Sequence, residues 1–288
     1  MIYGICNPTS GHGRGKKVGE LVEKLLTIKN IPFQMAYTEG TAHATVLAKN
    51  AVAAGADTVL CIGGDGTAFE VAQGLADTQT ALGIIPAGTG NDFVKTICLP
   101  TDPEKALDHI LSHPARKTDV GMINNRMFLN VAGAGFDVMT LDYTEKAKRY
   151  CRGILPYLYG VLQSMFRFRS LDLTYSVDGG EEIRQKAFII AAANGGCFGG
   201  GIAIAPEARA DDGLIDIVVV GHIRKRDLPA RLVGLMKGKI LSFPETKFYR
   251  ARSVSFSIPH MRLDIDGEII AAEKADVRLC PGALLVHR

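Results

Sequence analysis

Two short motifs place carboxylates where they could transfer protons or help to bind a metal ion. Asp65 lies in the middle of G-G-D-G-T at residues 63–67, and Asp266 opens the stretch D-G-E at residues 266–268. A carboxylate in such a turn can accept a proton from an attacking hydroxyl group, or hold a water molecule on Mg²⁺. The alternative for the first motif is structural, because Asp65 and Thr67 could merely cap the helix that follows.

Glycine-rich turns follow three apolar runs in the first third of the chain. Their sequences are N-P-T-S-G-H-G-R-G at residues 7–15, G-G-D-G-T at 63–67 and P-A-G-T-G-N-D-F at 86–93. Glycine permits positive φ angles, and the N–H groups of such turns can bind an anion at a helix N-terminus. The glycine spacing matches neither a Walker A loop nor a Rossmann fingerprint. The turns therefore predict a phosphate-binding edge of another kind.

The elements that would position these turns change character along the chain. Strand and helix patterns alternate up to about residue 114, which predicts an open, mostly parallel sheet with helices on both faces. From residue 117 onward, period-two alternation at 171–177, 254–258 and 262–266 predicts half-buried antiparallel strands. We therefore expect an α/β domain over residues 1–118 and a β-rich antiparallel sandwich over residues 119–288.

Composition excludes several classes of function. The formal net charge is only +3, tryptophan is absent and aromatic residues make up 7% of the chain, so nucleic-acid binding is not expected. The six cysteines form no C-x-x-C pair, which argues against a zinc site and a disulfide framework. No apolar run of about 18 residues exists, and the chain begins in a strand-like pattern without a signal peptide. A cytoplasmic protein is expected.

The combination of motifs resembles a known family. G-G-D-G-T followed by P-A-G-T-G-N-D-F is similar to the diacylglycerol kinase catalytic domain of bacterial lipid kinases. This family is related to sphingosine kinases and more distantly to NAD kinases and phosphofructokinases. The resemblance spans the whole chain and implies an ATP- and Mg²⁺-dependent kinase that phosphorylates a hydroxyl of diacylglycerol or a related membrane lipid. It also implies that the last few residues return to the first domain.

Two other functions stay open at this point. A soluble kinase of the NAD kinase type shares G-G-D-G-T, although the later motifs argue against it. A nucleotide-sensing module could keep the phosphate cradle without turnover, although both Asp65 and Asp266 are present.

The resemblance also assigns roles to residues. It implies that Asp266 is the general base, with Glu268 as a supporting or alternative base, and that Asp65 organises the Mg²⁺-nucleotide. Strand alternation would place Asp264, Asp266 and Glu268 on one face, and the alternative is a plain Asp-Gly hairpin turn. The residues implied to bind the nucleotide are Asn7, Pro8, Thr9, Ser10, Gly11, Thr38, Gly63, Gly64, Asp65, Gly66, Thr67, Gly88, Thr89 and Asn91.

A second acidic segment could bind a metal ion. Asp211, Asp216 and the backbone carbonyl near Leu214 offer the oxygen ligands that Mg²⁺ takes. The segment resembles the structural-magnesium segment of the family, whereas the alternative is an Asp-Gly turn between strands. Whether Asp211 or Asp212 is the ligand stays open.

The lipid-facing parts are expected in the second domain. Segments 130–137 and 194–201 resemble those of the family and would line a lipid cleft, or their glycines could serve only close packing. An apolar helical stretch within residues 144–169 has basic flanks, which predicts transient peripheral contact with an anionic membrane. The alternative is an ordinary helix that covers the sandwich. The basic residues that flank this stretch are Lys146, Lys148, Arg149, Arg152, Arg167 and Arg169.

A homodimer is also expected.

Overall fold

The computed structural model describes residues 1–147, 149–150 and 155–288. They form two compact units. Unit 1 contains residues 1–120, 210–213 and 280–288, and unit 2 contains residues 121–209 and 214–279. The structure differs from the predicted division for residues 210–213, which belong to unit 1.

The strands and helices are numbered in chain order. The strands are β1 (Ile2–Cys6), β2 (Phe33–Tyr37), β3 (Thr58–Gly63), β4 (Ala81–Pro86), β5 (Ala115–Ile123), β6 (Arg126–Phe128), β7 (Val131–Gly135), β8 (Leu171–Val177), β9 (Ile183–Ala193), β10 (Cys197–Phe198), β11 (Ile202–Ala203), β12 (Ile215–Gly221), β13 (Thr246–Ala251), β14 (Ser253–Ser257), β15 (Arg262–Ile265), β16 (Glu268–Ala271) and β17 (Ala275–His287). The helices are α1 (Ser10–Ile28), α2 (His43–Ala53), α3 (Asp65–Leu75), α4 (Asp92–Thr96), α5 (Pro103–Ser112), α6 (Phe136–Ala147), α7 (Leu155–Arg167) and α8 (Leu228–Met236), and a short 3₁₀ helix spans Ile240–Ser242.

Unit 1 is built on a parallel sheet in the order β2-β1-β3-β4, to which the end of β17 adds beside β4. The helices α1 and α5 bury apolar stripes against this sheet, and Val22, Leu60 and Leu107 belong to the same buried cluster. Asp102 caps α5 by accepting a hydrogen bond from the N–H of Lys105 at 3.0 Å, as its sequence pattern predicts. The strands β1, β3 and β4 each end in one of the glycine-rich turns.

Asp119 ties the separate segments of unit 1 together. Its side chain is 5% exposed, and its two oxygens accept hydrogen bonds from the N–H groups of Gly213 and Gly282, both at 2.8 Å. Because these glycines lie in segments 210–213 and 280–288, one buried carboxylate fixes both returning segments. The sequence pattern did not single out this residue.

Unit 2 is antiparallel throughout its resolved strand pairs. One path runs β16-β15-β7-β9-β8-β14 and continues into the first residues of β17, and β9 also pairs with β12, which pairs with β13. Two buried apolar clusters form its core, one around Phe128, Tyr175 and Phe256 and the other around Phe136, Phe168 and Phe188. The predicted combination of a parallel α/β domain with an antiparallel β-rich domain is confirmed.

The helix α7 covers part of unit 2. Val161 and Met165 pack against the second apolar cluster. Within the described ranges, no helix is both long and apolar enough to cross a bilayer.

Candidate functional site

A polar cleft of about 420 Å³ lies in unit 1 at the carboxyl ends of its parallel strands. More than half of the residues that line the cleft were predicted from the glycine-rich turns and the strand ends. The predicted residues that line it are Asn7, Thr9, Ser10, Thr38, Gly64, Gly66 and Thr67. Loops at this edge of an α/β sheet are where such folds bind ligands.

The first two turns are joined by the side chain of Asn7. Its Nδ2 donates to Thr67 Oγ1 at 3.0 Å, and its Oδ1 accepts from the N–H of Thr9 at 3.1 Å and from Thr9 Oγ1 at 2.9 Å. Asn7 therefore holds the first turn beside the start of α3, and its role in this structure is to position the loop that carries Thr9 and Ser10.

The second and third turns touch through their backbones. A Cβ atom on Gly88 would lie 2.4 Å from Gly64 Cα, and one on Gly11 would lie 2.2 Å from the carbonyl oxygen of Ala87. Gly11 also has a φ angle of +56°, which disfavours any side chain. Asn91 braces the third turn, since its side chain accepts from the N–H of Gly88 and donates to the carbonyl of Gly88.

Several predicted nucleotide-binding residues lie behind the cleft lining. Gly63 is buried, and its carbonyl accepts the N–H groups of Ala87 and Gly88. The remaining ones that do not line the cleft are Pro8, Gly11, Asp65, Gly88, Thr89 and Asn91. Nucleotide contact by these residues stays a prediction, and what the structure shows for Gly11, Gly63, Gly88 and Asn91 is packing of the turns against one another.

Asp65 caps a helix, but not its own. Its Oδ1 accepts hydrogen bonds from the N–H groups of Asp92 at 2.6 Å and Phe93 at 3.1 Å, which are the first residues of α4. Burial raises the pKa of Asp65, the charge of Asp92 raises it further, and these backbone hydrogen bonds oppose the increase. The helix that Asp65 itself begins has no side-chain cap at Gly64. Asp65 thus couples the second turn to the third.

The N-terminus of α3 makes the cleft suitable for an anion. The first N–H groups of a helix have no partner within the helix and carry the positive end of its dipole. Gly66 and Thr67, in the first turn of α3, line the cleft, so a phosphate placed there would meet these donors.

Acidic and small residues that sequence analysis missed complete the lining. Glu70 accepts hydrogen bonds from the N–H groups of Ala42 at 2.9 Å and Ala44 at 3.1 Å, so it caps α2 from a neighbouring helix. Glu39, Gly40 and Thr41 could have been predicted, because they follow Thr38 in a loop that leaves the same edge of the sheet. The missed lining residues are Glu39, Gly40, Thr41, Ala44 and Glu70.

In unit 2, Asp266 and Gly267 form the two-residue turn of the hairpin between β15 and β16. Their φ angles are +48° and +94°, as a type I′ turn requires, and Ile265 pairs with Glu268 across the turn. The expectation that Asp264, Asp266 and Glu268 share one strand face is therefore wrong. The turn breaks the alternation, so Asp264 is 7% exposed whereas the Glu268 side chain is 55% exposed.

The oxygens of Asp266 hold a neighbouring backbone segment. Oδ2 accepts the N–H of Leu129 at 2.6 Å, and Oδ1 accepts those of Asn130 and Val131, both at 3.0 Å. Glu268 instead lies 3.5 Å from Arg126 Nη1 at the surface. The two candidate bases thus differ, since Asp266 anchors the start of β7 and Glu268 can reach a ligand.

A pair of buried carboxyl groups lies near this hairpin. Asp264 Oδ1 accepts the N–H of Gly267 at 2.8 Å, and burial together with the charge of Asp137 raises the pKa of Asp264 well above its usual range. Burial also raises the pKa of Asp137 to about 6, against the N–H groups at the start of α6. Asp137 lies in segment 130–137, which was predicted to line a lipid cleft, and Asp264 was predicted to share a strand face with Asp266 and Glu268, but the pairing of these two carboxyl groups was not predicted.

The predicted magnesium ligands have basic partners. Asp211 Oδ2 accepts from Arg288 Nη2 at 3.0 Å, and Asp216 Oδ1 accepts from Arg250 Nε at 3.2 Å. Within the ranges that the structure describes, no group of three or more His, Cys, Asp or Glu residues could hold a metal ion. Both carboxylates are paired with arginines in this structure, and magnesium binding at Asp211, Leu214 and Asp216 stays a prediction.

An apolar pocket of about 70 Å³ lies in unit 2. Both predicted lipid-facing segments contribute to it, Phe136 and Asp137 from residues 130–137, and Phe198 and Gly199 from residues 194–201. The stacked rings of Phe136 and Phe188, with centroids 4.6 Å apart, form one wall.

The outer face of α7 carries an exposed apolar stripe. Its members are spaced by three or four residues, which places them on one side of the helix. Arg167 donates to the hydroxyl of Tyr143 at 3.1 Å, so a basic group borders the stripe. Of the predicted basic and apolar insert, Lys148, Arg152 and Ile154 lie outside the described residues. The exposed stripe consists of Leu155, Leu158, Tyr159, Leu162 and Phe166.

Sequence comparison links this arrangement to known proteins. Residues 2–123 match the family described as the diacylglycerol kinase catalytic domain, and residues 130–288 match the YegS C-terminal NAD kinase beta sandwich-like domain. A diacylglycerol kinase from Mycobacterium tuberculosis is 32% identical over 294 residues, which cover 100% of this chain and 94% of the relative. A protein from Chromohalobacter salexigens named "Probable lipid kinase YegS-like" is 33% identical over 244 residues, which cover 83% of this chain and 78% of the relative.

Solved structures share the fold. A crystal structure of a diacylglycerol kinase from Bacillus anthracis has a TM-score of 0.72 at 22% identity, and covers 99% of this chain and 95% of that chain. An NAD kinase from Archaeoglobus fulgidus in complex with ATP has a TM-score of 0.58 at 13% identity, and covers 100% of this chain and 94% of that chain.

Proposed function

The chain belongs to the diacylglycerol kinase family, and we propose that it transfers the γ-phosphoryl group of ATP to a hydroxyl of a membrane lipid. The observation that carries the proposal is the polar cleft of unit 1, where Thr9, Ser10 and Thr67 offer hydroxyl groups beside the first N–H groups of α3, which have no acceptor within that helix. Phosphoryl transfer depends mainly on positioning and on neutralising phosphate charge, which such a cleft supplies.

The residues of the cleft would hold the nucleotide. N–H groups at the start of α3 would bind phosphate oxygens, with hydroxyl groups from Thr9, Ser10 and Thr38 as further donors. Asp65 would act by fixing the third turn against the second, since its Oδ1 is bound to α4. Mg²⁺ bound with ATP would neutralise charge on the β- and γ-phosphates.

We assign proton acceptance to Glu268 and positioning to Asp266. The lipid hydroxyl oxygen would form a bond to the γ-phosphorus as the bond to the β-phosphate oxygen breaks, and ADP would leave. Glu268 would take the hydroxyl proton, because its carboxylate is exposed and its ion pair among the described residues is a 3.5 Å contact with Arg126 at the surface. Asp266 is less suited to this step, since three N–H groups occupy its oxygens.

Membrane contact is proposed for the exposed stripe of α7. Five large apolar side chains on one helix face, in a segment that also contains Lys146, Arg149 and Arg167, are typical of a helix that rests on an anionic bilayer surface. The opposite face of α7 packs on unit 2 through Val161 and Met165, so the predicted covering role and the membrane role are compatible.

The test is phosphate transfer from labelled ATP. The purified full chain is incubated with Mg²⁺ and mixed micelles that hold mono- and diacylglycerols, phosphatidylglycerol and sphingoid bases, with NAD⁺ in a parallel reaction. Label is expected in a lipid and is expected to be lost in Glu268→Gln and Asp65→Asn. Asp142→Asn is the control, because Asp142 of α6 pairs with Arg262 of β15 and lines neither the polar cleft of unit 1 nor the apolar pocket of unit 2.

Two results would overturn the proposal. Label that appears only in NADP⁺ would assign a soluble kinase of the NAD kinase type. ATP binding without transfer to any acceptor would favour the nucleotide-sensing module.

A further inference from the structure

Two charged groups in the lining of the apolar pocket of unit 2 have a buried atom without a hydrogen-bond partner among the described residues, the acceptor Asp137 Oδ1 and the donor Arg231 Nε. Asp137 is 8% exposed and lines this pocket, and its Oδ1 has no hydrogen-bond partner among the described residues. The other charged side chain in the lining, Arg231, is paired with Glu245 at 3.0 Å. Asp137 is thus the acceptor that the pocket itself does not satisfy.

An unsatisfied carboxylate oxygen in such a place is costly. Buried polar atoms in folded proteins nearly always have a partner, and a charged one without a partner destabilises the fold. Most of the lining is hydrocarbon, including Phe136, Phe188 and Leu235, and no described residue donates to Asp137 Oδ1. A ligand that brings a donor group would remove the penalty on binding.

The charge state of Asp137 is set by Asp264 and by α6. Two buried carboxyl groups close together share a proton. Burial and the charge of Asp137 raise the pKa of Asp264 well above its usual range, whereas the N–H groups at the start of α6 favour the charged form of Asp137. Oδ1 of a charged Asp137 is a hydrogen-bond acceptor.

We infer that Asp137 determines lipid specificity by accepting a hydrogen bond from a second donor group of the acceptor lipid, one that is not phosphorylated, while a single hydrocarbon chain occupies the apolar pocket. This rests on the proposed lipid kinase function. The donor is a hydroxyl or ammonium group next to the chain, as in a monoacylglycerol or a sphingoid base.

The chemistry of the pocket disfavours a diester. A diacylglycerol has one hydroxyl group, which is the one phosphorylated, and its ester oxygens are acceptors that would face another acceptor at Asp137. A site built to pair with a donor rejects an analogue that lacks it, because the buried group is left unpaired. The volume of about 70 Å³ has room for a segment of one hydrocarbon chain, since pockets for larger ligands reach roughly 300 Å³ or more.

The test compares lipids and variants in two independent assays. The first measures kcat/KM for 1-monooleoylglycerol, sphinganine and dioleoylglycerol in mixed micelles. The second measures binding of fluorescent monoacylglycerol without ATP. The variants are Asp137→Leu, which removes the acceptor, and Asp137→Asn, which keeps an oxygen there. Asp142→Asn on the same helix is the control for loss of an acidic group, and melting temperatures confirm that each variant folds.

The wild-type protein is expected to prefer a lipid with a second donor over the diester by about tenfold, the discrimination expected from one buried hydrogen bond. Asp137→Leu should abolish this preference and weaken monoacylglycerol binding by a similar factor, with Asp137→Asn intermediate and Asp142→Asn unchanged. The two donor lipids distinguish a hydroxyl from an ammonium partner. Preference for the diester, or unaltered binding in folded Asp137→Leu, would overturn the inference. Asp137-dependent binding without phosphate transfer would contradict the proposed function and leave the inference intact.

Discussion

The polar cleft of unit 1 and the apolar pocket of unit 2 treat their carboxylates in opposite ways. In unit 1, Asp65 gives its Oδ1 to two N–H groups of α4, and Glu70 gives both oxygens to the start of α2. In unit 2, Asp137 Oδ1 has no hydrogen-bond partner among the described residues, and it lies in a pocket lined mainly by aromatic and aliphatic side chains. In the cleft, backbone N–H groups are left for the ligand, whereas in the pocket a side-chain acceptor is left for it.

This difference shows that a motif residue and a ligand-contacting residue need not be the same. Asp65 and Asp266 stand out in the sequence, yet both are bound by backbone N–H groups and hold loops in place. Asp137 lies in no acidic motif, and its unused oxygen is visible only in the folded chain. The comparison predicts that substitutions of anchoring and of ligand-facing carboxylates affect different measurements.

The largest effects should separate Asp266 from Glu268. Asp266→Ala removes three hydrogen bonds to buried N–H groups, so we expect the free energy of unfolding to fall by about 2–4 kcal/mol. Glu268→Gln should change it by less than about 0.5 kcal/mol, because its ion pair is exposed. It should nevertheless lower kcat by about 10²–10⁴-fold as a lost proton acceptor. Denaturant unfolding and kcat are measured on both, and a Glu268→Gln protein with full activity would contradict the assignment.

The next effect tests whether the turns of unit 1 form one cradle. Gly88→Val places a side chain 2.4 Å from Gly64 Cα, and we expect ATP affinity to fall by about 100-fold as the two turns separate. Monoacylglycerol binding by unit 2 should not change. In the matched variant Gly66→Ala, the added Cβ meets no atom within 4 Å, so its loss should be at least tenfold smaller. Calorimetric titration with ATP measures both, and equal losses would show that close approach of Gly88 and Gly64 is unimportant.

A smaller effect is expected at the exposed stripe of α7. The double variant Leu158→Ser and Phe166→Ser should weaken binding to phosphatidylglycerol vesicles by about tenfold, since each side chain adds apolar burial at the interface. Co-sedimentation at low salt measures this. Val46→Ser, which alters an exposed apolar residue on α2 of unit 1, should bind vesicles like the wild-type protein. Vesicle binding that is equal in all three proteins would refute the membrane role of α7.

The smallest effect concerns the cost of the unpaired oxygen. The pKa of Asp137 is raised from 3.8 to about 6, so the folded protein binds this proton more tightly than the unfolded chain does. The stability that this proton contributes is therefore fully present below pH 3.8 and is lost as the pH rises through about 6. Asp264 is the carboxyl group that faces Asp137. Asp137→Asn should unfold at higher denaturant concentration than the wild-type protein at pH 8.

The expected gain in stability is about 1 kcal/mol, below the ceiling of roughly 3 kcal/mol that this change in pKa sets. The gain should disappear below about pH 3, where Asp137 is protonated in both the folded and the unfolded state. A wild-type protein that is as stable as Asp137→Asn at pH 8 would indicate that Oδ1 carries no penalty.

The classes of the two domains and the position of the polar cleft could be predicted from the sequence. Period-two and helical patterns depend on local spacing, and glycine-rich turns after apolar strands depend on backbone conformation, so both are visible along the chain. Seven of the predicted nucleotide-binding residues line the cleft for this reason, from Asn7 to Thr67.

Which carboxylates are available to a ligand could be seen only in the folded structure. The partners of Asp65, Asp119 and Asp266 are backbone groups 27 to 163 residues away, and no local pattern encodes such a contact. The positive φ angles at Asp266 and Gly267 reversed the face expected for Glu268. A carboxylate oxygen accepts hydrogen bonds within the fold or stays available to a ligand, depending on which donors other segments place beside it. These donors come together only in the folded chain.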